Sequence, residues 1–376
     1  MKALMVMGQT DRKLIHYVSS ITKIDKITEV IVFREKNGPP LNKVQYRTIP
    51  SWSAKLPILK DLIKVPLLIY TIIREHPDFI HGIRVHPWGL MSLFAGKLMG
   101  IKTGVMLIAG PVEMCTLMGS GVGKHIYASK NVRINCNLFM RSLLQKFDYI
   151  LVTGTFSKKI LEENGLDSTK IHVLPRVSPL EFDTSFVPYP CEKIYDLIFV
   201  GRFAPVKNVE TFIKSISLMI KRYPELRVVL VGGGEYQINL EQLAKSLEVE
   251  KNIDFVGYQK DVWRWYNKSK LSIISSEREG FPYSSIESLA CGVPVVSSKC
   301  GDIIDVIIDG YNGAIIEDCY DAEAFSDAIL KILKDQRLLT QLSQNALDSA
   351  HQLSFEKATH VWEQIIELLE SGNARG

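Results

Sequence analysis

The sequence lacks several features that mark common classes of protein. Its six cysteines form no C-x-x-C pair, which argues against a zinc site or a disulfide framework and favours a reducing cytoplasm. No apolar stretch reaches membrane-spanning length, and the run at residues 65–73 has only nine residues. The first residues lack the apolar run of a secretory leader, and G-x-G-x-x-G is absent after the first expected strand, which argues against a dehydrogenase. We therefore expect a cytoplasmic protein that is neither a dehydrogenase nor a zinc-binding protein.

Charge is distributed unevenly along the 376 residues. Residues 1–180 carry 25 Lys and Arg against 12 Asp and Glu, whereas residues 181–376 carry 20 against 29, although the whole chain has a net charge of only +4. A basic half beside an acidic half suggests that the first half faces an anionic partner, such as a lipid surface or a phosphorylated carrier. A solvated basic face without any partner explains the same asymmetry. We expect no nucleic-acid partner.

Short apolar strands alternate with amphipathic helices in both halves of the chain. KALMVM, EVIVF, GVMLI and YILV are typical of buried strands, and DLIFV, RVVLV, LSIIS and PVVSS repeat the pattern in the second half. Four prolines and no helical period mark residues 175–195 as a linker. We predict an α/β protein with two doubly wound, Rossmann-like domains, residues 1–180 and 181–353, that face a central cleft. Residues 354–376 form a helix that either caps the second domain or crosses back to the first.

One stretch, SEREGFPYSSIESLACG, places two carboxylates at a strand-to-helix loop. LSIISS before it is typical of a buried strand and SSIESLACG of a helix, so Glu279 lies in the loop and Glu287 about one turn into the helix. The amide groups of such a loop and first turn form a natural anion site. Carboxylates beside a bound phosphate accept hydrogen bonds from hydroxyl groups on either side of it. A nucleoside diphosphate sugar has this arrangement, with ribose hydroxyls, then two phosphates, then sugar hydroxyls.

This stretch resembles the signature of the retaining glycosyltransferases of family four, whose two Rossmann domains form the GT-B fold. In that family an E-x7-E pair frames the nucleotide-sugar. The resemblance implies that Glu279 contacts the donor sugar and that Glu287 contacts the ribose hydroxyls. It also implies that the residues between them hold the sugar and the distal phosphate, namely Phe281, Pro282, Tyr283 and Ser284.

Three further stretches of the second half resemble the same family, in the same order. VGRFAPVKNVETF resembles the phosphate-binding loop, which implies that Arg202 and Lys207 stabilise the departing diphosphate. VGGGEYQ resembles the loop in which glycines, here Gly233 and Gly234, let the backbone approach the nucleotide. NIDFVGYQ resembles the base-binding turn, here with Tyr258. Each stretch alone has an ordinary structural explanation, but their shared order argues against coincidence.

The first half resembles the family less closely and is expected to bind the acceptor. Gly8 follows the first strand, where a glycine lets the loop lie close to the diphosphate, and Thr10 and Arg12 are acceptor-side candidates beyond it. His81 resembles a strand-end histidine of the family, and His86 in the next loop is another acceptor-side candidate. A structural role explains each histidine equally well.

The stretch MLIAGPVEM departs from the family pattern. Relatives often carry a histidine there, which touches the donor sugar, whereas Ala109 or Gly110 takes that place in this chain. Glu113 is the candidate substitute for acceptor activation. The nearby MGSGVGKH, residues 118–125, is one residue short of G-x-x-x-x-G-K-[ST] and ends in histidine. We therefore predict a flexible loop over the acceptor side there, and no Walker A site.

Two basic apolar stretches, residues 51–76 and 131–147, interleave lysine or arginine with large apolar residues. Surface helices with one buried face explain this pattern. Helices that rest on an anionic membrane to reach a lipid-linked acceptor explain it as well. Both interpretations stay open from the sequence.

The resemblance implies a retaining hexosyltransferase that moves a sugar from a nucleotide diphosphate sugar, most often a UDP-sugar, to a glycan or lipid-linked acceptor in polysaccharide or glycoconjugate synthesis. It implies no cofactor and, because no Asp-x-Asp motif is present, no essential metal. The enzyme is expected in the cytoplasm, either free or peripheral on the inner face of the membrane. Two alternatives are a non-catalytic nucleotide-sugar-binding subunit of a polysaccharide assembly complex and a GT-B nucleotide-sugar epimerase.

Overall fold

The protein is described by a computed structural model that covers residues 1–8, 10–50, 57–114, 138–181, 186, 188–189 and 191–373. The chain divides into two compact units. Of the described residues, unit 1 holds 1–114, 138–177 and 355–373, and unit 2 holds 178–354. The boundary after Val177 therefore lies inside the stretch that the sequence marks as a linker.

Unit 1 is built on a parallel sheet of seven strands. These are β1 (Lys2–Val6), β2 (Glu29–Arg34), β3 (Val44–Thr48), β4 (Phe79–Ile83), β5 (Lys102–Leu107), β6 (Tyr149–Val152) and β7 (Ile171–Val173). Their order is β3-β2-β1-β4-β5-β6-β7, so the direction of winding reverses between β1 and β4. Leu4 of β1 pairs with Ile31 on one side and with Ile80 on the other. All three side chains are buried, as expected for parallel strands that are covered on both faces.

Within the described part of unit 1, the α-helices before the linker are α1 (Asp11–Thr22), α2 (Pro57–Glu75), α3 (Leu90–Met99), α4 (Leu138–Leu144) and α5 (Thr155–Glu163). In α1 the buried residues Leu14, Val18 and Ile21 recur at helical spacing. Helix α3 ends at Gly100, which adopts the left-handed conformation (φ 67°) typical of a helix C-terminus. Apolar spacing and stop signals thus account for these elements.

Unit 2 contains a parallel sheet of six strands, which are β8 (Tyr195–Val200), β9 (Val228–Val231), β10 (Ile253–Phe255), β11 (Ser269–Ile274), β12 (Val295–Ser298) and β13 (Gly313–Ile316). Their order is β10-β9-β8-β11-β12-β13, so the winding reverses between β8 and β11. Successive residues of β8 point to opposite faces, with Leu197 and Phe199 in one apolar cluster and Ile198 in another. Both faces of the sheet are therefore covered.

The helices of unit 2 are α6 (Val209–Met219), α7 (Gln237–Ser246), α8 (Val262–Asn267), α9 (Tyr283–Ala290), α10 (Ala322–Lys334) and α11 (Gln336–His351). They alternate with the strands as far as β12, a short 3₁₀ turn (Gly301–Asp305) joins β12 to β13, and α10 and α11 then follow one another. Two parallel sheets with helices on their faces confirm the predicted α/β class of two Rossmann-like units.

The last helix, α12 (Phe355–Asn373), belongs to unit 1 and packs on α1. The ammonium group of Lys23 lies 4.5 Å from the ring centroid of Phe355, and the hydroxyl of Thr359 donates to the carbonyl of Ser20 (3.2 Å). Trp362 is buried, and its ring lies 5.2 Å from that of His81 on β4. The end of the chain therefore completes the core of unit 1.

Candidate active site

A charged pair lies at the carboxyl edge of the sheet of unit 2, where the winding reverses between β8 and β11. Lys207 ends a short helical turn after β8, and its ammonium group contacts Oε1 of Glu279 in the loop after β11. The hydroxyl of Ser276 donates to the same oxygen (2.9 Å). Among the residues that the structure describes, Oε2 of Glu279 has no hydrogen-bond partner. The edge at such a reversal is the usual ligand position in doubly wound sheets.

Backbone bonds hold the two loops together beneath this pair. The amide of Lys207 donates to the carbonyl of Ala204 (2.9 Å), and the carbonyl of Lys207 accepts from the hydroxyl of Ser275 (3.0 Å). The amide of Glu277 donates to the carbonyl of Val206 (2.9 Å). These bonds fix the backbone of both loops, so the Cα atoms of Lys207 and Glu279 have defined positions.

The loop after β12 supports Glu279 from another side. Gly301 has φ 57°, and a Cβ atom there would lie 1.9 Å from the carbonyl oxygen of Glu279, so only glycine fits. The amide of Asp302 donates to the carbonyl of Gly280 (3.0 Å). Glu279 is therefore placed by main-chain contacts from two neighbouring strand ends.

The glycine-rich loop after β9 packs against the loop after β8. A Cβ atom on Gly232 would lie 1.8 Å from the carbonyl oxygen of Gly201, and one on Gly234 would lie 2.3 Å from that of Phe203. At Gly233 the nearest atom to such a Cβ is 3.8 Å away. Two of the three glycines thus serve loop packing, and Gly233 is the position with open space for a ligand.

Two further predicted residues border this loop. The carbonyl of Gly257 accepts from the amide of Gly232 (2.9 Å), and the next residue, Tyr258, is 85% exposed. Arg202, directly after β8 and Gly201, is also exposed, and its guanidinium has no hydrogen-bond partner among the described residues. Both side chains are accessible to a ligand on this edge.

The other predicted donor-side residues cluster at the start of α9: Phe281, Pro282, Tyr283, Ser284 and Glu287. The hydroxyl of Tyr266 donates to the carbonyl of Ser284 (3.1 Å), which fixes the first turn from α8. As at any helix start, first-turn amides have no acceptor within the helix and attract anions. Glu287 is buried on the same helix, one turn beyond. The structure thus brings the predicted donor-side residues of unit 2 to one edge of its sheet.

The predicted residues of unit 1 are placed less simply. Gly8 lies against the buried indole of Trp88, because a Cβ on Gly8 would be 2.6 Å from the indole nitrogen. Thr10 is exposed and precedes α1, where its carbonyl accepts from the amide of Leu14 (2.8 Å). Arg12 lies in α1, and its side chain falls outside the described part of the molecule. The close approach of Trp88 is by itself enough to require glycine at position 8.

The two histidines differ in environment. His86 is exposed in the loop after β4. His81 is fully buried within β4, stacks on Tyr149 and shares a hydrogen bond of 3.1 Å with its hydroxyl. Burial lowers the pKa of His81 to about 3, so the ring is neutral at physiological pH. The structural alternative is therefore the one that fits His81.

Glu113 is buried, and its carboxylate accepts three backbone hydrogen bonds. Oε1 accepts from the amides of Ile108 (2.9 Å) and Ala109 (2.7 Å), and Oε2 accepts from that of Val85 (2.8 Å). Burial raises the pKa of Glu113, while these donors and the charge of Arg84 oppose the shift. The three bonds tie the loop after β5 to the end of β4, which is a structural role and uses both oxygens.

Several predictions fall on residues outside the described ones. They are the loop at 118–125, the segment 131–137 of one basic stretch and residues 51–56 of the other. No helix among the described residues is long and apolar enough to cross a membrane. Ser276, which shares an oxygen of Glu279 with Lys207, is not among the predicted residues, although its position three residues before Glu279 makes it a candidate.

Residues 186–348, which lie in unit 2, match the family described as glycosyl transferases group 1. N-acetyl-alpha-D-glucosaminyl L-malate synthase of Bacillus anthracis is 31% identical over 175 residues, 46% of this chain and 45% of that protein. Poly(glycerol-phosphate) alpha-glucosyltransferase of Bacillus subtilis is 29% identical over 192 residues, 50% of this chain and 28% of that protein. Across four curated relatives, the chain spans 28% to 63% of the relative's length.

A solved structure extends the likeness to the whole chain. The crystal structure of Anabaena HepE in complex with UDP has a TM-score of 0.72 at 17% identity, covering 99% of this chain and 100% of that chain. The fold class is GT-B. At this level of identity the structural likeness shows the fold, and the family match together with the named relatives supports a glycosyltransferase.

Proposed function

We propose that the chain is a retaining glycosyltransferase that moves a hexose or N-acetylhexosamine from a UDP-sugar to a glycan or lipid-linked acceptor. The contact between Lys207 and Glu279 carries this proposal. A diphosphate needs positive charge, and a neighbouring sugar hydroxyl needs a hydrogen-bond acceptor, so a cation beside a carboxylate matches both. The names of the two relatives support the sugar class, and the UDP complex of HepE supports the base.

Each residue of the edge in unit 2 then has a defined task. Lys207 and Arg202 contact the diphosphate, and the first turn of α9 adds amide donors and the positive end of its dipole. Oε2 of Glu279 accepts a hydrogen bond from a hydroxyl of the donor sugar. Glu287 contacts the ribose hydroxyls, and the exposed ring of Tyr258 packs on the base.

Retention of configuration requires the acceptor hydroxyl to attack from the face that the leaving group vacates. The bond between the anomeric carbon and the phosphate oxygen breaks, and its electron pair stays on the diphosphate. The new bond forms from the acceptor oxygen, whose proton passes to the departing diphosphate. Lys207 and Arg202 stabilise the developing charge, a contribution of about 3 kcal/mol for each well-placed donor. Since these two cations neutralise the diphosphate, we propose that no metal is essential.

Calorimetric titration of the full chain with UDP, GDP and ADP in the presence of EDTA tests the donor site. We expect UDP to bind most tightly. Lys207→Ala should weaken UDP binding by about 10- to 100-fold, because it removes a charge-assisted contact. Lys214→Ala removes the same charge from an exposed position on α6 and should leave binding unchanged. Absence of binding to all three nucleotides would contradict the donor site itself.

Turnover separates the proposal from its two rivals. A non-catalytic subunit binds UDP and consumes no UDP-sugar, and a lost histidine at Ala109 would be its sequence mark. An epimerase converts a UDP-sugar to its epimer without any acceptor. Release of UDP that rises when an acceptor is added distinguishes the transferase from both.

In unit 1, helices α2 and α3 contact each other, and each carries large exposed apolar residues. These include Tyr70, Ile73, Phe94 and Leu98. Arg74 and Lys97, both exposed, are their sequence neighbours. We propose that these residues rest on an anionic membrane surface, since apolar side chains enter the interface and cations contact the headgroups.

Co-sedimentation with phosphatidylglycerol vesicles tests this proposal, with phosphatidylcholine vesicles for comparison. We expect binding to the anionic vesicles that Phe94→Ser and Leu98→Ser together reduce several-fold. Ile238→Ser changes an equally exposed apolar residue in unit 2 and serves as the control. Equal binding of wild type and the double variant would overturn the proposal.

A further inference from the structure

Arg84 of unit 1 is not among the predicted site residues. It follows β4 directly, and β4 neighbours β1 where the winding of the sheet reverses. The carboxyl edge at such a reversal is the usual place for a ligand in an open parallel sheet. Arg84 therefore lies at the carboxyl edge of the sheet of unit 1, as Lys207 lies at the carboxyl edge of the sheet of unit 2.

The backbone of Arg84 adopts a conformation that favours glycine. Its φ is 74° and its ψ is 147°, which is a strained combination for a residue with a side chain. The surroundings enforce it, because the amide of Arg84 donates to the carbonyl of Met106 (2.9 Å) and its own carbonyl accepts from Gly89 (2.9 Å). A glycine would meet the same backbone requirement without strain. The arginine side chain must therefore contribute something that offsets the cost.

Part of that contribution is electrostatic, because the charge of Arg84 opposes the rise in the pKa of buried Glu113, but no direct contact accounts for the guanidinium within the described part of the protein. Nε of Arg84 is buried and has no hydrogen-bond partner there, and the guanidinium forms no ion pair within 4.0 Å with any described carboxylate. Glu113 is the nearby acidic residue, and its carboxylate accepts hydrogen bonds from three backbone amides and none from Arg84. A half-buried guanidinium in this state is suited to an external anion.

We propose that Arg84 binds an oxyanion of the acceptor, a phosphate or a carboxylate group, and so selects anionic acceptors. A guanidinium offers paired N–H donors in a planar fork that matches either group. This inference deepens the proposed function, because it takes unit 1 to be the acceptor side of a glycosyltransferase. Arg84 is a binding residue in this proposal and takes no part in bond making.

The test uses the full chain saturated with UDP, so that the donor edge is occupied. Inorganic phosphate and succinate are titrated separately at constant ionic strength, and binding is followed by calorimetry. We expect saturable binding of at least one of them, which Arg84→Gly and Arg84→Gln weaken by about tenfold or more. Binding of phosphate alone assigns a phosphorylated acceptor, and binding of succinate alone assigns a carboxylate. Lys159→Gln, an exposed charge on α5, is the matched control and should bind as wild type does.

Arg84→Gly also separates binding from folding. Because glycine relieves the backbone strain, its melting temperature should equal or exceed that of wild type while oxyanion binding is lost. Unchanged oxyanion affinity in this variant would overturn the proposal, and so would the absence of saturable binding to the UDP-bound wild type. Failure of UDP itself to bind would instead contradict the proposed function.

Discussion

The strand-end loops of the two units are built in different ways. In unit 2, loops from neighbouring strands contact each other through the main chain, as Gly232 does with Gly201 and Gly301 with Glu279. In unit 1, the carboxylate of Glu113 accepts hydrogen bonds from backbone amides, and the ring of His81 packs in the core against Tyr149. Loops fixed by main-chain contacts leave charged side chains available for a ligand. Where side chains such as Glu113 and His81 fix the structure, those groups are not available for a ligand, and this contrast is the reason why we propose unit 2 for the donor site.

The largest effect is expected from Glu279→Gln. The change removes a charged acceptor for the donor sugar and the partner of Lys207, so turnover of a UDP-sugar should fall by about 100-fold or more. UDP lacks the sugar, and its affinity should change much less. The control is Glu277→Gln, two residues earlier in the same loop. Equal loss of turnover in both variants would remove Glu279 from its assigned role.

Gly232→Ala should disrupt the main-chain packing that distinguishes unit 2. The added Cβ would lie 1.8 Å from a carbonyl oxygen, so we expect the free energy of unfolding in urea to drop by about 3 kcal/mol. Gly310→Ala is a matched control, since Gly310 also has a positive φ (71°) but no atom within 4 Å of its Cβ position. It should cost only about 1 kcal/mol. Equal losses of unfolding free energy in the two variants would show that the loop around Gly232 is loosely packed.

Glu113→Gln tests the contrasting construction of unit 1. An amide keeps one acceptor oxygen but turns an NH2 group toward backbone donors, so we expect a loss of about 2 kcal/mol in unfolding free energy. UDP affinity should stay within twofold of wild type, because the residue lies in unit 1. A large loss of turnover with unchanged stability would instead restore Glu113 as an acceptor-activating group.

An effect of similar size to that of Glu113→Gln concerns acid stability and His81. Its pKa is about 3 in the folded unit against 6.5 ordinarily, so only the unfolded chain takes up this proton between those values. Its contribution is therefore complete above about pH 6.5 and declines as the pH falls, by at most about 1.4 kcal/mol per pH unit. His81→Gln should flatten the decline between pH 6.5 and 5 in urea unfolding. Identical pH profiles for wild type and His81→Gln would contradict the buried state of His81.

Features that rest on a local sequence pattern can be predicted, whereas features that rest on contacts between distant parts of the chain cannot. Apolar runs such as those of β1 and β11 identified central strands, whereas the half-exposed edge strand β3 (VQYRT) and the three-residue β10 gave no such signal. Lys207 and Glu279 are predictable as site candidates because each lies in a local motif, and the fold brings the two motifs into contact. The burial of His81 depends on Trp362 at the far end of the chain, and the strained backbone of Arg84 has no sequence mark. Neither follows from local pattern.

Hydrolysis of a UDP-sugar tests the central claim most directly, because water replaces the unidentified acceptor. The full chain is incubated with UDP-glucose or UDP-N-acetylglucosamine in EDTA, and the anomeric proton of the released sugar is followed by NMR. We predict slow release of the α anomer first, with Lys207→Ala inactive and Lys214→Ala active. Release of the β anomer first would contradict retention, and release that Lys207→Ala leaves unchanged would contradict the site.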